Sequence, residues 1–229
     1  QDGAATANWL ICASVAPTPA SDILAADISI SATTAITAAI GTTGNFVNQD
    51  INGILSSLAW SGTNVTYSFP ATASLYPDGY GYAGLTNQFT PLTAAQQTVA
   101  RYAFGLIAKY TLLNFTEVTE SLDVPAQIRI AGSATPKTSN AFYPQNIPND
   151  GGDIWFGNIR STVPLQGEYA FFTIMHEIGH SVGLKHGHET DASNPNNSAY
   201  GVLPANHNST EWSLMTYSSY VVSTSSDTY

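Results

Sequence analysis

Hydrophobic positions along the chain fall into short periodic stretches separated by polar segments rich in glycine and proline. After Phe46, Ile51, Ile54, Leu55 and Leu58 follow three- and four-residue spacing and predict a helix. In "NVTYSFP", Val65, Tyr67 and Phe69 alternate, which predicts a strand ended by Pro70. The clearest helix is "LTAAQQTVARYAFGLIAKYTLL". Thr93 is placed to cap it, and Val99, Tyr102, Ala103, Leu106, Ile107 and Tyr110 form one apolar stripe for the core. "NFTEVTE" and "AQIRIAG" predict two further strands, the second alternating Ile128 and Ile130, and "GGDIWFGN" a short one bounded by glycines. A last helix is expected over roughly Gly167 to Val182, with Phe171, Ile174, Met175, Ile178 and Val182 turned inward. Beyond Gly183 the chain reads as loop until "EWSLMTYSSY", and residues 1 to about 43 show little periodicity. The order of elements predicts an α+β fold, a mixed sheet with helices packed against it.

Charge narrows the partners. The 229 residues carry a formal net charge of −10, only 10% are charged, and no Lys or Arg precedes Arg101. Nucleic acid is excluded as a partner, because phosphate binding needs clustered basic side chains. Electrostatic attachment to anionic lipid is excluded on the same ground. The apolar stretch "ANWLICASVA" is too short to span a membrane and lacks the basic residue of a signal peptide. The single cysteine, Cys12, allows no intrachain disulfide and reads as a small buried apolar residue.

The candidate chemistry sits in "TIMHEIGHSVGLKHGHE", which holds four of the five histidines. His176, Glu177 and His180 form H-E-x-x-H within the predicted helix. Residues four apart share a helix face, so both imidazoles reach one ion, while Glu177 is turned aside toward a water. Gly183 accepts the turn that ends the helix, and the chain then brings in His186. Three nitrogen ligands leave a position open, which distinguishes catalytic from structural zinc. The alternative, surface histidines on a polar helix face, leaves the added Gly183 and His186 unexplained. Met215, in "SLMTY", supplies the Met-containing turn that accompanies the extended zinc motif.

These residues, "HEIGHSVGLKH" and "SLMTYSSY", resemble the metzincins, and within them the serralysin family of secreted zinc endopeptidases. Upstream, "NGILSSLAWSGTNVTYSFP", the helix from Thr93, "AQIRIAG" and "GGDIWFGN" appear in that family's order. The resemblance implies a metzincin-like α+β catalytic domain: a twisted mixed sheet with two long helices, and zinc in a cleft between an upper lobe and a small lower lobe. It implies zinc held by His176, His180 and His186, Glu177 as general base, and Met215 as the floor beneath the metal. Tyr217 matches the family tyrosine that ligates zinc and swings away to stabilise the oxyanion. Gly152, Asp153, Ile154, Trp155 and Phe156 match the strand against which an extended peptide is laid, an edge being suited to β-augmentation. The expected protein is therefore extracellular or at the cell surface, and takes protein or peptide substrate without membrane insertion.

The resemblance also sets limits. Serralysins usually carry proline after the third histidine, where this chain has Gly187 and then His188. His188 is expected to be a solvated loop residue, since a fourth ligand would close the open position. His207 is expected at the surface. The family's glycine- and aspartate-rich calcium repeats do not occur in these residues, so calcium rests on the resemblance alone. Residues 1–43 are expected to form an N-terminal segment, a pro-segment or a surface-packed extension, and 44–229 the catalytic domain. The competing readings are a metal hydrolase acting on other amide bonds, or a catalytically silent metzincin-fold module of a secreted or cell-surface assembly. Glu177 argues against a silent site.

Overall fold

The computed structural model describes residues 40–42, 46–77, 80, 84–145, 150–190 and 200–221. Cys12 and nearly all of the N-terminal segment lie outside them.

The first strand, β1 (Ile40–Thr42), pairs antiparallel with β2 (Leu58–Trp60), with the short helix α1 (Gln49–Asn52) between them. The boundary expected at residue 43 thus falls just after a strand that belongs with residues 58–60. The helix expected across 51–58 shrinks to one turn. Gly53 accounts for this: a Cβ there would lie 2.4 Å from the backbone nitrogen of Leu203, so the chain turns to let that segment approach. Leu55 then bridges Leu184, and Leu58 enters β2.

The main sheet is built from β3 (Asn64–Ser68), β4 (Phe89–Thr90), β5 (Asn114–Glu117), β6 (Ile128–Ser133), β7 (Asn140–Ala141) and β8 (Ile154–Phe156). Its order is β5-β3-β6-β8-β7. The first four run parallel, β7 runs antiparallel on β8, and β4 pairs antiparallel with the end of β6. Val65, Tyr67, Ile128 and Ile130 are buried, as their alternation predicts.

Helix α2 (Ala94–Tyr110) begins as expected. Thr93 Oγ1 accepts from Gln96 N at 3.3 Å, and Gln96 Oε1 accepts from Thr93 N at 2.9 Å. Its inward face differs from the expected stripe. Gln96, Val99, Ala100, Ala103 and Phe104 are buried, while Tyr102 and Tyr110 are about half exposed. Phe104 decides the rotation: its ring stacks on Tyr67 at 4.3 Å and packs on Phe115 at 4.7 Å. Burying one such side chain contributes about 2 kcal/mol, and a buried tyrosine hydroxyl would have needed a partner.

Helix α3 (Tyr169–Ser181) packs against α2, with Ile174, Ile178 and Val182 fully buried in the same core. Gly183 ends it for two reasons. Its φ is +103°, and a Cβ would lie 2.3 Å from Leu58 O, so only glycine allows α3 to finish against β2. A smaller cluster, Tyr76, Leu85, Ala131, Phe142 and Trp155, lies on the sheet near β7. No helix among the described residues is long and apolar enough to cross a membrane.

Candidate metal centre

Three imidazoles converge. The Nε2 atoms of His176, His180 and His186 stand 3.0 to 3.1 Å apart in a near-equilateral triangle. His176 and His180 come from α3, one turn apart, and His186 from the loop that Gly183 turns back. The other ring nitrogens are committed. His176 Nδ1 donates to Leu214 O at 2.6 Å, His180 Nδ1 to Leu184 O at 2.7 Å, and His186 Nδ1 to Glu189 Oε1 at 2.7 Å. Backbone carbonyls only accept, so their two histidines carry the proton on Nδ1 and turn a bare Nε2 lone pair inward. Burial pushes His176 down to about 4 and His180 well below the usual imidazole range, which keeps both neutral.

Lone pairs facing one another at this distance repel unless a cation lies among them. Nitrogens tetrahedrally bound to one zinc at about 2.0–2.1 Å stand roughly 3.3 Å apart, close to the observed spacing. The residues present therefore fit a metal ion bound by three histidines. They form the one cluster of metal-binding geometry among the described residues.

Glu177 is buried beside this triangle, and burial pushes its carboxyl up to about 8. Tyr217 is 44% exposed, and its hydroxyl donates to His186 Nε2 at 2.7 Å, into the lone pair a metal would take. Burial and the nearby Glu177 charge push that hydroxyl up to about 12.

Met215 lies beneath α3, buried, and its carbonyl accepts from Gly187 N at 2.9 Å. That bond accounts for glycine where the resemblance leads one to expect proline: proline has no N–H to give, and a Cβ there would also lie 2.4 Å from Leu203 Cδ1. His188 is exposed and outside the ligand triangle, but its ring lies parallel to His186 at 5.7 Å and against Tyr217 at 5.2 Å. His207 is not a free surface residue. Its Nδ1 meets Asp50 Oδ1 at 2.6 Å and its ring stacks on Trp212 at 4.1 Å.

The expectation that 152–156 form an open edge fails. β8 is paired on one side with β6 and on the other with β7, and Asp153, Ile154, Trp155 and Phe156 are essentially inaccessible. Glycine-bounded apolar runs look alike at an edge and in mid-sheet, and the two-residue β7 that covers this one is too short to show a period. Among the described residues the outer strands of this sheet are β5 and β7, and β7 is the one on the side of β8. The chain there continues through Phe142 to Tyr143, whose ring meets His180 edge-on at 5.6 Å. Two residues that the sequence reading passed over also bear on the centre, Lys185 and Glu189; a carboxylate three residues after a ligand histidine was the available signal.

Known proteins resemble this chain in sequence. Serralysin B of Dickeya chrysanthemi is 33% identical over 180 residues, which cover 69% of this chain and 34% of that protein. Serralysin C of the same organism is 29% identical over 177 residues, 70% of this chain and 35% of that protein. Metalloprotease AprA of Pseudomonas entomophila (strain L48) is 28% identical over 164 residues, 66% of this chain and 33% of that protein. The chain thus spans about a third of the length of the relatives it matches. No family model matches it.

Proposed function

Because the chain belongs to the serralysin family of metzincins through its catalytic domain, we propose that it is a secreted zinc endopeptidase. The observation that carries the reading is the triangle of three converging Nε2 atoms, each ring held from behind by a hydrogen bond at its Nδ1. An arrangement with three histidines and an open side serves hydrolysis, whereas four ligands would serve structure alone. The relatives' names, serralysin and metalloprotease, agree with that use.

Zinc, when bound by His176, His180 and His186, supplies Lewis acidity toward a water and the scissile carbonyl. Glu177 takes the proton of the attacking water and delivers it to the leaving amine. Tyr217 leaves His186 and turns its hydroxyl to the developing oxyanion. An extended peptide adds as a strand to the outer edge of β7, which leads through Tyr143 to His180. In this reading the cleft lies between the sheet with its two long helices and the described residues 183–190 and 200–221.

The test is cleavage of casein or gelatin by the purified chain, with metal analysis alongside. Cleavage that a chelator abolishes and zinc restores supports the peptidase. Zinc bound at one equivalent without cleavage of any peptide overturns it in favour of a silent module.

A further inference from the structure

The three histidines are not held alike. His176 and His180 are fixed by α3 and by backbone carbonyls. His186 lies on a loop, and the acceptor behind it is a side chain, Glu189. That carboxylate engages His186 twice, through Nδ1–H on Oε1 at 2.7 Å and backbone N–H on Oε2 at 3.3 Å. The backbone N–H of Glu189 returns to His186 O at 3.2 Å, which closes residues 186–189 into a turn. Lys185 pins this turn to the body of the protein. Its side chain is fully buried, and Nζ donates to Gly53 O at 2.7 Å, His186 O at 3.2 Å and Glu189 O at 3.4 Å. A buried ammonium with three carbonyl acceptors is a strong and costly device, which singles out the loop it holds.

We propose that Glu189 is the positioning residue for His186, with Lys185 as its anchor, so that the loop-borne ligand is aimed before any metal arrives. The inference rests on the zinc reading above. A carboxylate behind an imidazole fixes its tautomer and its ring orientation, here on the one histidine of the three that no helix holds. Positioning through hydrogen bonds, not net charge, is what the turn provides: Glu189 binds both the ring and the backbone of the same ligand.

The test compares wild type, Glu189→Gln and Glu189→Ala in zinc affinity, read by competition with a chromophoric chelator, and in thermal unfolding of the metal-free protein. Glu189→Gln keeps an oxygen for Nδ1–H but turns an amide toward the backbone N–H. It should weaken zinc about 10-fold, and Glu189→Ala up to about 100-fold, with smaller changes in the metal-free melting temperature. Equal zinc affinity in Glu189→Gln and wild type overturns the proposal, and Glu189→Gln alone decides if Glu189→Ala does not fold. A second readout needs no metal. In the metal-free wild type the Nδ1–H proton of His186 should be protected from exchange and shifted downfield by the carboxylate, and Glu189→Gln should move it upfield. No movement overturns the proposal. A wild type that binds zinc but cleaves no peptide would sink the peptidase reading and leave the positioning role standing, whereas a wild type that binds no zinc overturns both.

Discussion

The sulfur of Met215 occupies the space that a side chain on Gly179 would need: a Cβ there would lie 2.6 Å from it. The glycine in H-E-I-G-H is thus what lets the Met-containing turn seat directly against α3, under the histidines. Two effects oppose each other in Gly179→Ala. Alanine gains about 1 kcal/mol in a helix interior, while overpacking costs about 1–3 kcal/mol. Met215 is buried to 3% exposure, which leaves its thioether little room to swing aside, so the clash should win. Gly179→Ala is expected to melt lower than wild type and to bind zinc less tightly, and a melting temperature equal to or above wild type would refute the packing argument.

Glu177→Gln should leave zinc content at one equivalent, because the ligand triangle and its three Nδ1 acceptors are untouched. Turnover should fall by at least about 10²–10⁴-fold, the usual worth of a positioned base. Metal analysis and kcat on one peptide substrate check both halves. Full activity in the variant would remove Glu177 from the mechanism.

Tyr217→Phe separates a catalytic hydroxyl from an ordinary aromatic. The ring contact with His186, at 4.3 Å between centroids, survives the change, while the hydroxyl bond to Nε2 is lost. We expect kcat to drop by roughly 10²-fold with little change in KM, the signature of an interaction made in the transition state. Zinc affinity should hold or rise slightly, since the hydroxyl no longer competes for the lone pair.

Asp153 gives a pH dependence that belongs to the fold alone. It is fully buried, and burial holds its carboxyl up to about 8 despite the guanidinium of Arg129, whose nearer partner is Glu120 at 2.6 Å against 3.8 Å for Asp153. The folded state thus binds this proton more tightly than the unfolded chain, where an aspartate titrates near ~4. Its contribution is full below ~4 and is lost as pH rises through about 8. Asp153→Asn cannot lose a proton, so the stability difference between variant and wild type should shift in the variant's favour from pH 5 toward about 8.5. Urea midpoints of the metal-free proteins measure it, and parallel pH curves would contradict the assignment.

How much of this was legible in the sequence depended on whether the signal was local. Thr93 and Gln96 announced the start of α2, and H-E-x-x-H with Gly183 announced the convergence of His176, His180 and His186, because helix geometry and one turn fix those relations within eleven residues. The inward face of α2 is rotated by roughly a sixth of a turn from the expected stripe, since Phe104 and Tyr102 compete for burial and only Tyr67 and Phe115, on distant strands, decide. The helix drawn through Leu58 failed because Gly53 meets Leu203, a contact that no local period encodes. The open edge was assigned to β8 for the same kind of reason. Glu189 was readable by spacing, but its role depends on which ring nitrogen it faces.

The clasp between residues 49–56 and the zinc loop sets an order of events. Gln49 Nε2 holds Tyr200 O and Val202 O, Asp50 meets His207, Gly53 O takes Lys185 Nζ, and Ser56 joins Gly183. Each of these pairs closes a chain loop of more than a hundred residues, the slowest kind of closure in folding. During synthesis residues 49–56 wait for these distant partners until the ribosome has delivered residues 183–207. His186 is therefore pinned only once these long-range contacts have closed, so that an ion meeting all three imidazoles meets a finished fold.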